Sequence, residues 1–293
     1  MHRLPSPRRL TRGLLPLALC LLVPALEAAT PRPAAVPQRI ASVNLSADEI
    51  LVELVPVERL VSVTSFADDA SLSSIVGRVP PAVKRVTRAK LETLVELRPD
   101  LVVVSEFSDA DFMHMLQESG LAFHRVAGMS SFDGIRRGIL GLADAVGAPE
   151  KGRALAERFD ASLAEIDRLL KGKPAPRVLP WSDPYSYGSG TLLGDMVVRA
   201  GGRNVAQELG VEGVRPIGVE RALAADPDVF LVAAGGDKAT LAAHPVLSKL
   251  HAVREGKIVE MPGPLISTLS HHAARGARFL AHALHPDAVP NAE

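Results

Sequence analysis

A helix-to-strand junction is spelled twice in this chain, and the repetition restricts how the chain can fold. Residues 92–104 read ETLVELRPDLVVV, and residues 220–232 read ERALAADPDVFLV. Both copies begin with glutamate, reach Pro-Asp after six further residues and continue as an apolar run. That is the pattern of a short helix followed by a buried strand. A junction that recurs in each half predicts two similar lobes, and a cleft between two lobes is a common place for a small ligand to bind.

Short apolar strands alternate with amphipathic helices around each copy of the junction. In the first half, strands are predicted over 39–43, 60–64, 101–104 and 122–126, and helices over 47–54, 91–97 and 110–119. In the second half, strands are predicted over 177–181, 229–233 and 257–261, and helices over 191–200, 219–225, 244–250 and 269–284. This alternation favours parallel pairing, so each lobe is expected to be an α/β (β-α) sandwich.

The stretch from Pro149 to Lys171 separates the two copies. Its apolar residues recur every three or four positions, which predicts one helix of roughly 33 Å. We interpret it as a rigid strut between the lobes; an ordinary surface helix of one domain is the alternative. The predicted segments are a leader over 30–38, a first lobe over 39–147, the connecting helix over 148–173, a second lobe over 174–286 and a tail over 287–293.

The first 29 residues have the pattern of a secretory signal peptide. Basic residues from Arg3 to Arg12 precede an apolar run over 13–26, and small residues follow at Ala28 and Ala29. Cys20 is the only cysteine, and Leu19 stands before it where a lipoprotein signal has a small residue, so lipidation is disfavoured. Removal of the signal would leave an exported, periplasmic chain without cysteine, which excludes disulfides, thiol catalysis and thiolate metal sites.

Composition argues against several classes of partner. Lysine plus arginine equals aspartate plus glutamate, at 33 each, so no overall field attracts nucleic acid. The pair His271-His272 invites a metal interpretation, but adjacent helical side chains point in different directions, so solvated positions at a helix start are expected. No metal site is predicted. Haem ligation through Tyr185, Tyr187 or His271 stays open.

Five segments carry a resemblance to a known family. They are residues 39–43 (RIASV), 92–104, 188–193 (GSGTLL) with 200–204 (AGGRN), 220–232 and 244–259. In these segments the chain resembles the periplasmic substrate-binding proteins of the iron-chelate and vitamin B12 class of ABC importers. The resemblance implies two sandwich lobes joined by one long helix, with the ligand in the cleft between them.

The same resemblance implies a function without catalysis. The ligand is expected to be an iron chelate (siderophore), a corrinoid or haem, and the partner an ABC permease dimer that receives the ligand from a monomer; no cofactor is implied. A glutamate on each lobe, Glu92 and Glu220 by motif position, is expected to dock on the permease. The alternative for both is a carboxylate that only stabilises the start of its helix.

Ligand contacts are expected from loops that follow the carboxyl ends of the strands, where α/β folds form their crevices. The candidates are Asn44, Ser46, Phe66, Arg85, Arg88, Phe107, Trp181, Tyr185, Tyr187, Arg215 and Leu265. Trp181 and the two tyrosines stand within seven residues and suit a large flat ligand, although ordinary loop packing is as good an interpretation. The arginines suit an anionic chelate or a corrinoid phosphate, against the alternative of solvated loop charges.

Two other functions remain as alternatives. Ser189, in the glycine-rich segment 188–194, follows a strand and opens a helix, as the nucleophile of an exported α/β hydrolase-like enzyme would. The segment lacks the Gly-x-Ser-x-Gly arrangement, so helix capping is the better interpretation of it. A ligand-free interaction module is the third hypothesis, and it predicts a closed, empty crevice between the lobes.

Overall fold

The computed structural model of the protein describes residues 35–235 and 237–291. The predicted signal peptide lies outside these residues. The first lobe contains β1 (Ile40–Ser42), α1 (Leu45–Leu54), β2 (Leu60–Thr64), β3 (Lys84–Val86), α2 (Leu91–Leu97), β4 (Leu101–Ser105), α3 (Ala110–Glu118), β5 (Phe123–Val126) and α4 (Phe132–Ala145). Its five strands are parallel in the order β3-β2-β1-β4-β5.

The long helix α5 (Pro149–Leu169) follows, with 21 residues and a length of about 31 Å. The second lobe contains β6 (Arg177–Pro180), β7 (Tyr185–Tyr187), α6 (Leu192–Arg199), β8 (Arg203–Asn204), α7 (Val205–Glu208), β9 (Val214–Pro216), α8 (Gly218–Ala225), β10 (Val229–Ala233), α9 (Asp237–Ala243), α10 (His251–Arg254), β11 (Ile258–Met261), α11 (Gly263–Ile266) and α12 (Ala273–Leu284). A parallel sheet has the order β11-β10-β6-β8, and β7 pairs with β9 as an antiparallel ribbon. The two parallel sheets are separate, as the repeat predicts.

Several elements differ from the sequence predictions, and in the second lobe the short elements β7, β8, α7, β9, α9, α10 and α11 were not predicted. The strand β3 and the helix α4 lie in stretches for which no regular structure was predicted. The helix predicted over 244–250 is wrong: α9 ends at Ala243, before Pro245, and a 3₁₀ turn over Leu247–Lys249 leads into α10. Proline removes a backbone donor and disfavours a helical residue before it, so the helix stops there.

One hydrophobic core runs through both lobes. It contains Ile50 and Leu142 of the first lobe, Phe159 and Ile166 of α5, and Leu280 of the second lobe. The helix α5 packs against α4 on one side and α12 on the other. Each lobe also has its own smaller outer core, under α2 and α3 in the first lobe and around Phe230 in the second. The lobes therefore share their inner apolar layer instead of meeting only across a polar interface.

The end of the predicted leader is tied to the first lobe. Pro37 is buried, and its carbonyl accepts a hydrogen bond from the Arg59 guanidinium (Nε···O 2.7 Å). The backbone N–H of Gln38 donates to Asp100 at 2.7 Å. The leader was predicted to be flexible through residue 38, but these contacts order the chain from Pro37 onward. In the part of the chain that the structure describes, no helix is both long and apolar enough to cross a bilayer.

Candidate ligand cleft and docking helices

A pocket of about 590 Å³ lies at the carboxyl ends of β1 and β4. Its lining includes three residues that the sequence predicted for ligand binding, Asn44, Arg88 and Phe107, together with the side chains of Phe112 and Met115. The structure therefore brings these three candidates together. The pocket combines one arginine with aromatic and thioether surface, which suits a ligand that has both an apolar body and a negative group.

The first turn of α1 forms the neighbouring wall. The Asn44 side chain caps this helix by accepting the Ala47 N–H at 2.9 Å, so its Oδ1 is already engaged, and Ser46 is buried. Asp48 is fully buried and accepts two hydrogen bonds from Thr64, through the backbone N–H (2.9 Å) and the hydroxyl (2.7 Å). Burial raises the pKa of Asp48 to about 7, although hydrogen bonds from Ser42 and Thr64 oppose the rise.

Exposed aromatic side chains occur at or beside the ends of strands. Phe66 and Phe107 follow the carboxyl ends of β2 and β4, and Tyr185 is the first residue of β7, the strand after β6; their exposed fractions are 47%, 69% and 48%. The other aromatic rings of the described residues are buried or half-buried. Large apolar rings left in water, two beside the first sheet and one on the β7–β9 ribbon, are the kind of surface that a flat ligand can cover.

Two of the predicted aromatic contacts have other surroundings. Trp181 is 4% exposed and packs edge-on against Phe230, with ring centroids 6.4 Å apart, so it lies in the core of the second lobe, as the loop-packing alternative expects. Tyr187 is half-buried and packs against the shared core. Of the three clustered rings, Tyr185 is the exposed one.

The arginine candidates separate into two kinds. Arg85 donates to both carboxylate oxygens of Asp68 (2.7 and 2.9 Å) and to three backbone carbonyls of the loop over 79–83. Its guanidinium thus holds that loop, which is a structural role for Arg85. Arg88 and Arg215 are exposed, and Arg215 lies on the β7–β9 ribbon with a hydrogen bond to its neighbour's carbonyl.

A buried carboxylate joins the lobes. Glu49 on α1 accepts hydrogen bonds from the Ser74 N–H (3.0 Å), the Thr268 hydroxyl (3.1 Å) and the Ser270 hydroxyl. Burial raises its pKa, and these hydrogen bonds oppose the rise. Thr268 and Ser270 belong to the second lobe, so this clasp crosses between the lobes. The only sign of this contact in the sequence is a glutamate in the apolar stretch of α1.

The segment after β11 closes against the first lobe beside this clasp. Gly263 approaches so closely that a Cβ atom on it would lie 1.9 Å from the Ser71 carbonyl oxygen. The Ser74 hydroxyl lies 3.5 Å from the Pro264 carbonyl oxygen. Leu265, predicted as a ligand contact, is half-buried and packs against the shared core. Its surroundings are those of a lobe-to-lobe contact.

The two adjacent histidines are not solvated, contrary to the prediction. His272 is 8% exposed, and the rings of His271 and His272 lie with centroids 4.0 Å apart. Burial, with help from nearby arginines, lowers the pKa of His271 to about 4 and that of His272 to about 3. Both rings are therefore neutral at pH 7. They lie beside α5, away from the pocket that holds Phe107.

Ser189 has the surroundings of a structural residue. Its hydroxyl lies 3.3 Å from the Val211 carbonyl oxygen, and within the described ranges no histidine is hydrogen-bonded to it. Thr191 is the residue that caps α6, by accepting the Gly194 N–H at 3.0 Å. The capping interpretation of this glycine-rich segment is confirmed, with Thr191 as the cap.

The two candidate docking glutamates have matching positions. Glu92 is in the first turn of α2 and Glu220 is in the first turn of α8, and both side chains are exposed. Each helix ends in a residue with left-handed backbone, Arg98 (φ 46°) and Asp226 (φ 42°). The junction seen in the sequence thus folds in the same way in both lobes.

Comparison with known proteins places this fold. The chain is 24% identical to an uncharacterized ABC transporter substrate-binding lipoprotein, YvrC of Bacillus subtilis, over 86% of this chain and 81% of that protein. It is 25% identical to a cobalamin-binding protein of Halobacterium salinarum over 74% of this chain, but spans only 60% of that protein. The structure of the periplasmic heme-binding protein RhuT from Roseiflexus sp. RS-1 superimposes with a TM-score of 0.75 at 25% identity, covering 86% of this chain and 99% of that one. Residues 40–265 match the model of the periplasmic binding protein family, and the chain belongs to that family.

Proposed function

We propose that this protein is the substrate-binding component of an ABC importer for a metal complex with a large apolar body and a negative group. The observation that carries the proposal is the set of exposed rings, Phe66 and Phe107 after strands of the first lobe and Tyr185 at the start of β7 in the second lobe. Arg88 supplies a positive charge in the same pocket as Phe107. Haem, a corrinoid and an iron chelate all fit this description.

The contacts proposed for the ligand follow from these positions. Phe107 and Phe66 supply flat apolar area from the first lobe, and Tyr185 supplies it from the second. Arg88 and Arg215 are exposed and have no carboxylate partner within the described residues, so each is free to pair with a carboxylate or phosphate of the ligand. Binding then needs no chemical step, only capture in the cleft and release to the permease.

A titration of the purified protein separates the three ligand classes. Haem, cyanocobalamin and a ferric hydroxamate each have a distinct absorbance spectrum, so binding is read from the spectral change. One class is expected to bind at micromolar or tighter concentration. Haem and cyanocobalamin are chosen because relatives include a heme-binding and a cobalamin-binding protein. The proposal fails if none of the three ligands binds.

We also propose that Glu92 and Glu220 dock the protein on the permease. Their support is the equal position of the two carboxylates on α2 and α8, one on each lobe, both exposed. Two separated charges fix the orientation of a complex and steer its formation. The variant E92K/E220K should abolish ligand uptake and leave ligand affinity unchanged, while E58K/E157K, which reverses two other exposed glutamates, should leave both unchanged. Normal uptake by E92K/E220K would refute the docking role.

We infer that the mature protein is a periplasmic monomer released by cleavage of the signal peptide at residues 1–29. The absence of a small residue before Cys20 supports cleavage without lipid attachment, although one relative is named a lipoprotein. Intact mass measurement of the exported protein tests this. A mass that begins at Cys20 with attached acyl chains would contradict it.

A further inference from the structure

The helices α2 and α8, called the docking helices below, each carry an exposed aliphatic side chain three residues after the glutamate. Val95 is three residues after Glu92 and is 52% exposed, and Leu223 is three residues after Glu220 and is 43% exposed. A single exposed aliphatic residue on a protein surface needs no explanation. Two exposed aliphatic residues at equivalent positions of a duplicated junction do suggest a shared function.

The helix geometry places each aliphatic side chain beside its glutamate. Residues three apart on a helix lie on the same face, about 5–6 Å apart at their Cβ atoms. The opposite side of each helix is anchored by the residue two positions after the glutamate, Leu94 or Ala222, both of which are fully buried. Both helices therefore turn the same face outward, and that face consists of a carboxylate and an aliphatic group.

The rest of the two helices has diverged. Residues 91–97 read LETLVEL, and residues 218–225 read GVERALAA. Among the exposed positions, the two helices have in common the glutamate and the apolar residue three positions later. Serine or lysine at the apolar position would keep the helix soluble without exposing hydrocarbon. The exposed carbon surface next to the carboxylate is thus a property common to both lobes.

We propose that Val95 and Leu223 form the apolar half of the permease-docking surface, each packing on an apolar side chain of the permease beside the basic group that meets Glu92 or Glu220. The inference rests on the proposed docking role of the two glutamates. Apolar side chains next to an ion pair exclude water from it, which strengthens the attraction between the charges. Many protein interfaces surround their main contacts with such water-excluding side chains.

The test is binding of the full-length mature protein to its permease in lipid nanodiscs. The variant V95S/L223S should bind the permease about tenfold or more weakly, because two aliphatic groups are no longer buried. The matched control is V198S, which removes a 55% exposed aliphatic group from α6, and it should bind within twofold of the wild type. Ligand affinity and melting temperature should be the same in all of these proteins, and V95I/L223M, which keeps the apolar character, should bind normally.

Several outcomes overturn the inference. Unchanged permease binding by V95S/L223S would do so, as would an equal loss in V198S, because the effect would then not belong to this surface. The variant E92K/E220K, measured in the same assay, separates the two levels of the proposal. If the glutamate variant loses binding and the aliphatic variant does not, only the apolar half is wrong; if neither loses binding, the docking role itself is wrong.

Discussion

Arg39 and Asp100 hold each other through two reciprocal hydrogen bonds: the Arg39 N–H donates to the Asp100 carboxylate at 2.9 Å, and the Asp100 N–H donates to the Arg39 carbonyl at 2.9 Å. Arg177 and Asp228 repeat the arrangement in the second lobe, at 2.7 and 2.9 Å. In both lobes this pair joins the start of the first strand, β1 or β6, to the Pro-Asp that follows α2 or α8. The duplication is thus preserved in hydrogen bonds as well as in sequence.

The guanidinium groups of the same two arginines bind the carboxyl ends of α2 and α8. Arg39 donates to the carbonyls of Leu97 and Arg98, and Arg177 donates to those of Ala225 and Asp226, at the carboxyl ends of α2 and α8. We predict that R39M or R177M lowers the free energy of unfolding by about 1–2 kcal/mol. Urea unfolding measures the loss. R153M, on the exposed face of α5, is the control, and an unchanged midpoint in R39M and R177M would contradict the prediction.

The close approach of Gly263 to Ser71 predicts a cost for any side chain there. G263A should push the segment after β11 away from the first lobe and destabilise the protein by about 1–3 kcal/mol, because the Ser71 carbonyl cannot move freely out of the way. Thermal unfolding measures the change. G141A is the control: its new methyl group would meet only His124, at 3.7 Å, and alanine favours the helix α4, so its stability should be unchanged or higher. Equal stability of the two variants would contradict the close contact.

The buried carboxyl of Asp48 predicts a pH-dependent contribution to stability. Its folded-state pKa, about 7, is above the ordinary value of 3.8, so the folded protein binds the proton more tightly than the unfolded chain does. The contribution of Asp48 therefore becomes less favourable as pH rises from about 4 to about 7 and is constant above that, by at most about 4 kcal/mol in total.

The variant D48N isolates this term. The difference in unfolding free energy, wild type minus D48N, should fall between pH 4 and pH 7 and then level. A difference is needed because the buried histidines His271 and His272, whose pKa values are lowered, act in the opposite direction between about pH 4 and pH 6.5. A difference that is flat with pH would show that Asp48 is ionised throughout.

The pocket predicts opposite phenotypes for two neighbouring arginines. R88Q should weaken ligand binding about tenfold with little change in stability, because Arg88 lines the pocket and is exposed. R85Q should lower stability and leave the affinity of the folded protein unchanged, because its guanidinium holds Asp68 and the loop over 79–83. Ligand titration and thermal unfolding of both variants give the comparison. A larger affinity loss in R85Q than in R88Q would reverse the assignment.

The sequence predicted the repeated junction, the long helix and the alternation of strands and helices because these depend on local periodicity. It did not predict α4, which contains three glycines. Two of them pack against the loop just before the helix: a Cβ on Gly134 would lie 1.5 Å from the Gly128 carbonyl oxygen, and one on Gly138 would lie 2.5 Å from the Met129 sulfur. Glycine lowers the apparent helix propensity, and the packing that justifies it is visible only in three dimensions.

The candidate site residues came from the same kind of local pattern. Positions after strands follow from the alternation, which made Phe66 and Phe107 candidates, whereas Arg88 was a candidate as one of the charges of a predicted loop. Whether a side chain in such a loop points outward depends on partners elsewhere in the chain. Trp181 is buried by Phe230, and Arg85 is occupied by Asp68. Composition and spacing contain neither of these pairings.

The apolar layer that runs from Ile50 through α5 to Leu280 has a mechanical consequence. Because the two lobes share one apolar core, a wide opening between them would expose that core to water. We therefore expect the protein to bind its ligand in nearly the conformation that it has without ligand. Release of the ligand is then expected to be the step of the transport cycle that needs an input of free energy. Under the proposed docking role, the permease would supply the work for release through its contacts with α2 and α8.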